Sequence, residues 1–304
     1  MSGRARLMSF LEGFRLTWTT RHFVRLDDLI FRKMILHLAG SRPLFPLAGD
    51  YHGRLEVVQI LQRLEVEFEV VSFRVGEIIG EGDKLSVRWS AQIANRGSGA
   101  LLTTGGMAAL TFSAGRLEYC AVYVDTAALA SLMGWMDSDA PSAHSNMEID
   151  QTARHGSASA LALDRRDVDA FFVGVHERWY EGRVSEVVGA HFHPQARLRF
   201  AGSGLFPRFS GTHIGHDPII SAYRSLMVEF ERMHGHIDDI LAEGNRVSVH
   251  SSLRLRHRET QRMADMDICD TYVMNFDGQI IDWIAYCDTG VLAQLAQRGE
   301  ASWR

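Results

Sequence analysis

Cysteine, long apolar runs and runs of like charge are all scarce in this chain. Only three of the 304 residues are cysteine, and none forms a Cys-x-x-Cys pair, which argues against a disulfide scaffold or a zinc knuckle. No apolar run reaches the roughly 18 residues that a membrane-spanning helix needs. The net charge is −5 and the basic residues are scattered, so we expect neither a nucleic-acid nor a membrane partner.

The remaining composition is that of an ordinary globular protein. The chain is 46% hydrophobic and 23% charged, and at about 100–200 residues per domain its length allows two domains. The N-terminus is basic, but Glu12 and Arg15 interrupt the residues that follow, so a signal peptide is not expected. With so few cysteines, the expected location is the cytoplasm.

An internal repeat organises the sequence. Residues 38–41 (LAGS) recur as 200–203 (FAGS), and residues 66–69 (VEFE) recur unchanged as 228–231, both at an offset of 162. Because this register persists over most of each half and the period is too long for a solenoid unit, it predicts a duplicated domain.

Near the end of each copy the offset becomes 163 and pairs Tyr123 with Tyr286 and Asp125 with Asp288. We therefore expect a first domain over 1–133 and a second over 167–304. The segment 134–166 between them is rich in Ser, Ala, Asp and Gly, which is typical of a linker.

Within each copy, helical patterns precede a series of strands. In the second copy an apolar face recurs at helical spacing over residues 168–179, and a later helix is expected to start at Asp217-Pro218. The strands are joined by tight turns such as 243–246 (EGNR) and its counterpart 81–84 (EGDK). This order predicts an α+β fold in which a curved antiparallel sheet wraps around a long helix.

The motifs resemble a known family. Gly215 opens an apolar helix, strands follow, and Asp277-Gly278-Gln279-Ile280 precedes an aspartate, Asp288, that lies ten residues after Gly278. This pattern is similar to the SnoaL-like branch of the nuclear transport factor 2 (NTF2)-like superfamily. The resemblance implies two fused, cone-shaped, cystatin-like α+β domains that pack sheet to sheet as an intramolecular pseudo-dimer.

The same resemblance implies a pocket between the concave sheet face and the helices. The family includes polyketide cyclases, ketosteroid isomerases and limonene epoxide hydrolase, together with non-catalytic binding modules. We therefore expect a cofactor-independent acid/base enzyme, of isomerase, aldol cyclase, hydratase or epoxide hydrolase type, acting on a small hydrophobic ketone, epoxide or polyketide. The alternative is a small-molecule-binding or assembly module without catalysis.

Asp288 occupies the position of the acid or base in the cyclases and the epoxide hydrolase. Partial burial at the end of an apolar strand would raise the pKa of this carboxyl group toward neutrality. In the alternative interpretation, Asp288 only caps the helix that follows near Thr289. The chain also departs from the family pattern, with Arg254-Leu255-Arg256 in place of Arg-x-Asp and Met274 in place of a histidine.

The two copies differ in their histidines. Of 14 in the chain, nine lie in the second copy and three in the first, so we expect the working pocket in the second domain. Strand alternation does not reveal which sheet face is concave, so the polar stripe of His250 and Arg254 could instead face solvent or the other domain. The expected catalytic residues are Asp288, Tyr286, His250 and Arg254; the expected ligand-binding residues are Trp283, Ile284, His236 and Tyr223; and a second pocket is expected at Asp125 and Tyr123.

Two histidine pairs suggest a metal site only weakly. His191 and His193, and likewise His234 and His236, would share a face if each segment were extended. Neither pair has an acidic ligand nearby in a known motif, and the first copy lacks all four. We therefore expect no bound metal and no cofactor.

Overall fold

The structure is a computed structural model, and it describes residues 5, 7–13, 26, 28–136, 164–200, 202, 206 and 208–297. The predicted linker, 134–166, therefore lies mostly outside the described residues. Its last part is helical, because the first helix of the second domain begins at Arg165.

The first domain alternates helices with six strands. Its elements are α1 (7–13), β1 (Ile30–Leu38), β2 (Gly49–His52), α2 (Gly53–Glu67), β3 (Phe68–Glu81), β4 (Lys84–Asn95), β5 (Leu101–Ser113), β6 (Arg116–Val124) and α3 (Thr126–Leu132).

The second domain has the same order after two opening helices. Its elements are α4 (Arg165–Tyr180), α5 (Val184–His191), β7 (Phe192–Phe200), β8 (Gly211–Ile214), α6 (His216–Glu229), β9 (Phe230–Glu243), β10 (Arg246–His257), β11 (Met263–Met274), β12 (Ile280–Cys287) and α7 (Thr289–Ala296). The first five strands of each domain begin at an offset of 162 residues, so the duplication seen in the sequence is confirmed.

Each domain contains one six-stranded sheet with matching strand order. The orders are β2-β1-β6-β5-β4-β3 and β8-β7-β12-β11-β10-β9. The expected α+β class is confirmed, but the sheets are mixed rather than wholly antiparallel, since β1 pairs with β6 and β7 with β12 in parallel. Strands β1, β2, β7 and β8, which precede the long helix of each copy, were not anticipated from the sequence.

The long hairpins turn where the sequence predicts. Gly82 and Gly244 have φ values of +60° and +62°, a conformation that favours glycine, and each lies in the turn between two long strands. The helix expected at Asp217 begins one residue earlier, at His216, with Gly215 as its N-cap residue. The predicted inward face of α4 is confirmed, because Val168, Phe172, Val175 and Trp179 are buried.

The two sheets pack against each other through one face of each. Tyr123 and Ala121 of the first domain form a single buried cluster with Cys269, Ile284 and Tyr286 of the second. Within this interface the Ser248 hydroxyl donates to Ser86 Oγ at 2.8 Å. Ion pairs border the contact, including Lys84 with Asp239 at 2.7 Å and Arg246 with Glu77 at 3.0 Å. The expected pseudo-dimer is thus present within one chain.

A reciprocal set of hydrogen bonds joins the last helix of each domain to the other domain. The Thr126 hydroxyl donates to Asp288 Oδ1, and the Thr289 hydroxyl donates to Asp125 Oδ1. Each aspartate also caps its own helix, since Asp288 accepts from Gly290 N at 3.0 Å and Asp125 accepts from Ala128 N at 3.0 Å. Each carboxylate therefore accepts a hydrogen bond from an amide of its own helix terminus and another from a threonine of the other domain.

Removing either threonine hydroxyl should destabilise the protein. Thr126→Val or Thr289→Val leaves a buried carboxylate without one donor, which costs about 1–3 kcal/mol of the free energy of unfolding. Urea denaturation of the full chain at pH 7 measures the loss. The matched control is Thr212→Val, an exposed strand residue, with a change within about 0.5 kcal/mol. Unfolding of the interface variants at the same urea concentration as the control would contradict the role of these hydrogen bonds.

Candidate functional site

A cavity lies inside the second domain, between α4, α6 and the sheet face that points away from the first domain. Its volume is about 60 Å³, and most of its lining is aromatic or aliphatic. The lining residues with hydroxyl or ionisable side chains are His176, Tyr180, Tyr223, Arg232, Ser251, Asp270, Tyr272 and Cys287. An apolar cavity with a few converging polar groups is the usual form of a small-molecule site.

Asp270 is the acidic group of this cavity. It lies on β11 and is only 5% exposed, and Trp283 Nε1 donates a hydrogen bond to its Oδ1 at 2.9 Å. Burial raises the pKa of the Asp270 carboxyl to about 7, although the Trp283 hydrogen bond and the positive charge of Arg232 oppose the shift. A carboxyl group that titrates near neutrality can both accept and donate a proton at physiological pH.

Arg232 brings the cationic group into the same cavity. The guanidinium lies over the ring of Tyr180, 4.1 Å from its centroid, and Nη2 donates to the Tyr223 hydroxyl at 2.9 Å. Its Nε and Nη1 atoms are buried, and neither has a hydrogen-bond partner in the described part of the chain. Buried donors in this state are uncommon, because each costs free energy unless a ligand or water satisfies it.

His176 Nε2 is a further buried atom of the cavity without a hydrogen-bond partner among the described residues. The Tyr180 hydroxyl and Ser251 Oγ are buried beside each other, and Ser251 partly offsets the rise that burial causes in the Tyr180 pKa. Burial, and secondarily the charge of Arg232, lowers the pKa of His176 to about 4, so this imidazole is neutral at pH 7. The cavity therefore offers several neutral hydrogen-bonding groups beside one carboxyl and one guanidinium group.

Stacked aromatic rings fix the shape of the cavity. The Trp283 ring contacts Trp179 edge to face at 5.2 Å between centroids and stacks on Tyr272 at 5.6 Å. Trp179 in turn contacts the ring of Tyr223 at 4.3 Å. Because Trp283 also holds Asp270, this packing positions the carboxyl group as well as the wall.

The first domain has no comparable set of polar groups at the matching positions. At the offset of 162, Asp270 corresponds to Ala108 and Arg232 to Val70. Ser251 corresponds to Trp89, whose ring stacks on Phe73 at 5.8 Å between centroids and packs against the first domain's core. Phe73 in turn corresponds to Gly235 of the second domain. At these matched positions only the second domain has a carboxyl group and a guanidinium group.

The structure brings only part of the expected site together. Trp283 and Tyr223 line the cavity, as expected for ligand-binding residues. Ile284 and Tyr286 lie on the opposite sheet face, buried against the first domain, because residues alternate sides along β12. Their expected place in the pocket is therefore wrong.

The expected position of Asp288 in the pocket is also wrong. Its carboxylate accepts from the amides of Gly290 and Val291 and from Thr126 of the first domain. Burial raises its pKa to about 6, but the group that it faces is a helix terminus rather than the cavity. Asp125 occupies the equivalent cap in the first domain, and Tyr123 lies in the contact between the sheets, where it borders an open cleft with His250.

His250, Arg254 and His236 also point away from the cavity. His250 is buried between the domains, where its Nε2 lies 3.2 Å from Ser248 Oγ and 3.4 Å from Cys269 Sγ. Arg254 forms an exposed ion pair with Asp265, and His236 forms one with Asp238, both at 2.7 Å. The polar stripe on β10 is thus the domain-packing and solvent face, the second of the two interpretations that the sequence left open.

The histidine pairs do not assemble a metal centre. His191 ends α5, whereas His193 lies on β7, so the two do not share one strand. His234 and His236 do share β9, with ring centroids 5.9 Å apart. Among the residues that the structure describes, His, Cys, Asp and Glu form no group of three that could hold a metal. No helix in the same described ranges is long and apolar enough to cross a membrane.

Sequence reasoning missed Asp270, Arg232 and His176. Asp270 carries a readable signal, because it interrupts an alternating series of large apolar residues on β11, namely Met266, Ile268 and Tyr272. Such a residue is either a packing fault or a buried functional carboxylate. Arg232 and His176 carry no comparable signal, since β9 is bulged and His176 lies beside apolar helix positions.

Comparison with known proteins identifies the second domain. Residues 162–283 match the family model described as SnoaL-like domain. No curated protein matches the chain significantly.

Solved structures to which this chain is similar each match a length of about one domain. An NTF2-like protein of unknown function from Burkholderia pseudomallei is 18% identical, covers 44% of this chain and 98% of its own, and has a TM-score of 0.37. An NTF2-like protein from Burkholderia xenovorans is 17% identical, with 42% and 96% covered and a TM-score of 0.37. A protein with a ketosteroid isomerase-like fold from Catenulispora acidiphila, in complex with trimethylamine, is 14% identical, with 40% and 90% covered and a TM-score of 0.34.

The family match and the topology agree. Residues 162–283 form a SnoaL-like domain, and the first half of the chain is a second α+β unit with the same order of strands.

Proposed function

We propose that the second domain binds a small, largely apolar molecule in its cavity and that Asp270 acts on it as a general acid/base. The observation that carries this proposal is a buried carboxyl group, with its pKa raised to about 7, on the floor of an apolar cavity. Perturbed carboxyl groups in such surroundings are characteristic of proton-transfer sites. The chemistry fits the expected isomerase or cyclase type, with Asp270 in the role first expected of Asp288.

The proposed reaction starts with proton abstraction. Ionised Asp270 takes a proton from the carbon beside a carbonyl group, and the C–H electron pair forms the C=C bond of an enolate. The Tyr180 hydroxyl, or Nε2 of His176 when it carries the proton of the neutral ring, donates to the enolate oxygen. Asp270 then returns the proton to the same or a neighbouring carbon, so the step needs neither a redox partner nor a cofactor.

The size of the cavity limits the substrate. If one water needs about 10–15 Å³ by this measure, then 60 Å³ holds roughly four to six waters or a molecule of similar size. A polycyclic polyketide would require the aromatic walls to move. We therefore favour a small ketone over the larger polyketides, with the first domain serving as a scaffold.

Asp270→Asn should slow the proton exchange that the chain catalyses on a small ketone. Cyclopentanone fits the size limit, and its α-hydrogens exchange with D₂O at a rate that NMR measures. We expect the wild-type chain to accelerate this exchange and the variant to reduce the acceleration by about 10²–10⁴-fold, the usual contribution of a positioned general base. The rate should rise with pH through about 7 as Asp270 ionises.

The matched control is Asp265→Asn, an exposed residue on the same strand, which should leave the exchange rate unchanged. Wild-type acceleration that persists in Asp270→Asn would contradict the proposed role. Binding of the ketone without accelerated exchange would favour the alternative of a non-catalytic binding module.

Asp270 should also give the folded chain a distinctive pH dependence. Its pKa is raised in the folded state from 3.8 to about 7, so the folded state binds more protons than the unfolded state in this interval, and stability falls as pH rises through it. The Asp270→Asn variant lacks this loss. Relative to the variant, the wild type should lose on the order of 2–4 kcal/mol of unfolding free energy between pH 4.5 and 8.

Urea denaturation at pH 4.5, 6 and 8 measures this difference. For Asp265, hydrogen bonding by Arg254 lowers the pKa, so this group titrates below the window. The difference in unfolding free energy between the wild type and Asp265→Asn should therefore not change with pH. If the difference for Asp270→Asn is also independent of pH, the pKa of Asp270 is not raised.

A further inference from the structure

The cavity contains a cation that its own residues only partly satisfy. Arg232 Nη2 is bonded to Tyr223, while Nε and Nη1 are buried and without partners among the described residues. Asp270 is the only carboxyl group among the residues that line the cavity, and one of its oxygens is already bonded to Trp283. A guanidinium group that presents free donors to an apolar cavity favours an anionic acceptor.

We propose that the natural ligand of this cavity carries a carboxylate group, which the guanidinium of Arg232 binds. This inference deepens the proposed function, on which it rests for the position of the site. In combination with the carbonyl group on which Asp270 acts, it defines the substrate class as small oxo acids with an apolar body. The aromatic rings of Trp179, Trp283 and Tyr272 enclose that body.

The packing around Arg232 supports a binding role rather than a purely structural one. Arg197 and Arg199, by comparison, pair with the carboxylate of Asp282 at 3.0 and 2.6 Å. Arg232 instead lies between the ring of Tyr180 and the hydroxyl of Tyr223, two neutral groups that fix its plane without neutralising it. Its orientation is thus set before a ligand arrives, which reduces the entropy lost on binding.

The charges around the site give the interaction a pH signature. The other titratable groups lining the cavity are Asp270 and Tyr272 on β11, His176 and Tyr180 on α4, Tyr223 on α6 and Cys287 on β12. Burial lowers the pKa of His176 and raises the pKa values of the three tyrosines and of the Cys287 thiol, so these five are neutral between pH 6 and 8. Only Asp270 changes charge in this range, and its ionisation repels a bound carboxylate.

A matched pair of probes tests the proposal. We use 3-methylbutanoate and 3-methylbutanamide, which have nearly the same shape but differ in charge, and measure binding to the full chain by titration calorimetry. A charge-assisted hydrogen bond of the usual strength corresponds to roughly 10–100-fold in affinity, so the wild type should bind the carboxylate at least about tenfold more tightly. Between pH 6 and 8 the carboxylate affinity should fall, and Asp270→Asn should remove that fall.

Variants of Arg232 identify the group responsible. Arg232→Gln should abolish the preference for the carboxylate, and Arg232→Lys should retain part of it. Arg254→Gln, which removes an exposed arginine from the opposite sheet face, is the matched control and should bind like the wild type. If Arg232→Gln fails to fold, the probe preference of the wild type and the pH dependence of its carboxylate affinity still test the proposal.

Equal affinity of the wild type for the two probes, or no binding of the carboxylate at millimolar concentration, would overturn the proposal. So would an unchanged preference in folded Arg232→Gln. The outcome is independent of the proposed acid/base chemistry, because Asp270→Asn should lose proton exchange yet keep its preference for the carboxylate. Loss of exchange without any carboxylate preference would refute this inference and leave the proposed function standing.

Discussion

The face-to-face packing of the two sheets is the constraint on which the rest of the molecule depends. It buries one face of each sheet in a contact that contains Tyr123, Tyr286 and His250. Because side chains alternate along a strand, burying these residues between the domains directs their neighbours toward the helices. The cavity can therefore form only on the sheet face that does not contact the other domain. Asp270 and Trp283 line the cavity because they lie on this face.

The fold was predictable to the extent that it depends on spacing. The constant offset, the glycine turns and the alternation on β10 predicted two α+β copies, and matching strand boundaries confirm them. Strands β1, β2, β7 and β8 were missed. β1 and β7 join their sheets by pairing with β6 and β12, which lie far away in the sequence. Pairing at long range leaves little trace in local periodicity.

The site was predictable only in part, for a related physical reason. A period of two assigns residues to two faces but does not say which face meets the other domain. Histidine enrichment favoured the domain in which the cavity lies but the opposite sheet face, because His250 fills a buried contact and His236 is 58% exposed. The acidic residue of the cavity is better recognised by its apolar neighbours on the same face than by similarity to a family position.

Duplication relaxes the demands on each copy. One copy can keep a cavity with a buried carboxyl group, which lowers stability at neutral pH. The other copy has Trp89, Val70 and Ala108 at the matching positions, and Trp89 and Ala108 pack against its core.

Strand β12 is a wall shared by two compartments. Its odd-numbered residues, such as Trp283, line the cavity, while Ile284 and Tyr286 bear on the first domain, and Asp288 ends the strand in the reciprocal cap. A shift of this one strand cannot move one set of side chains without moving the other. The junction between the domains therefore also supports the indole ring that holds Asp270, so a loosened junction would displace this carboxyl group.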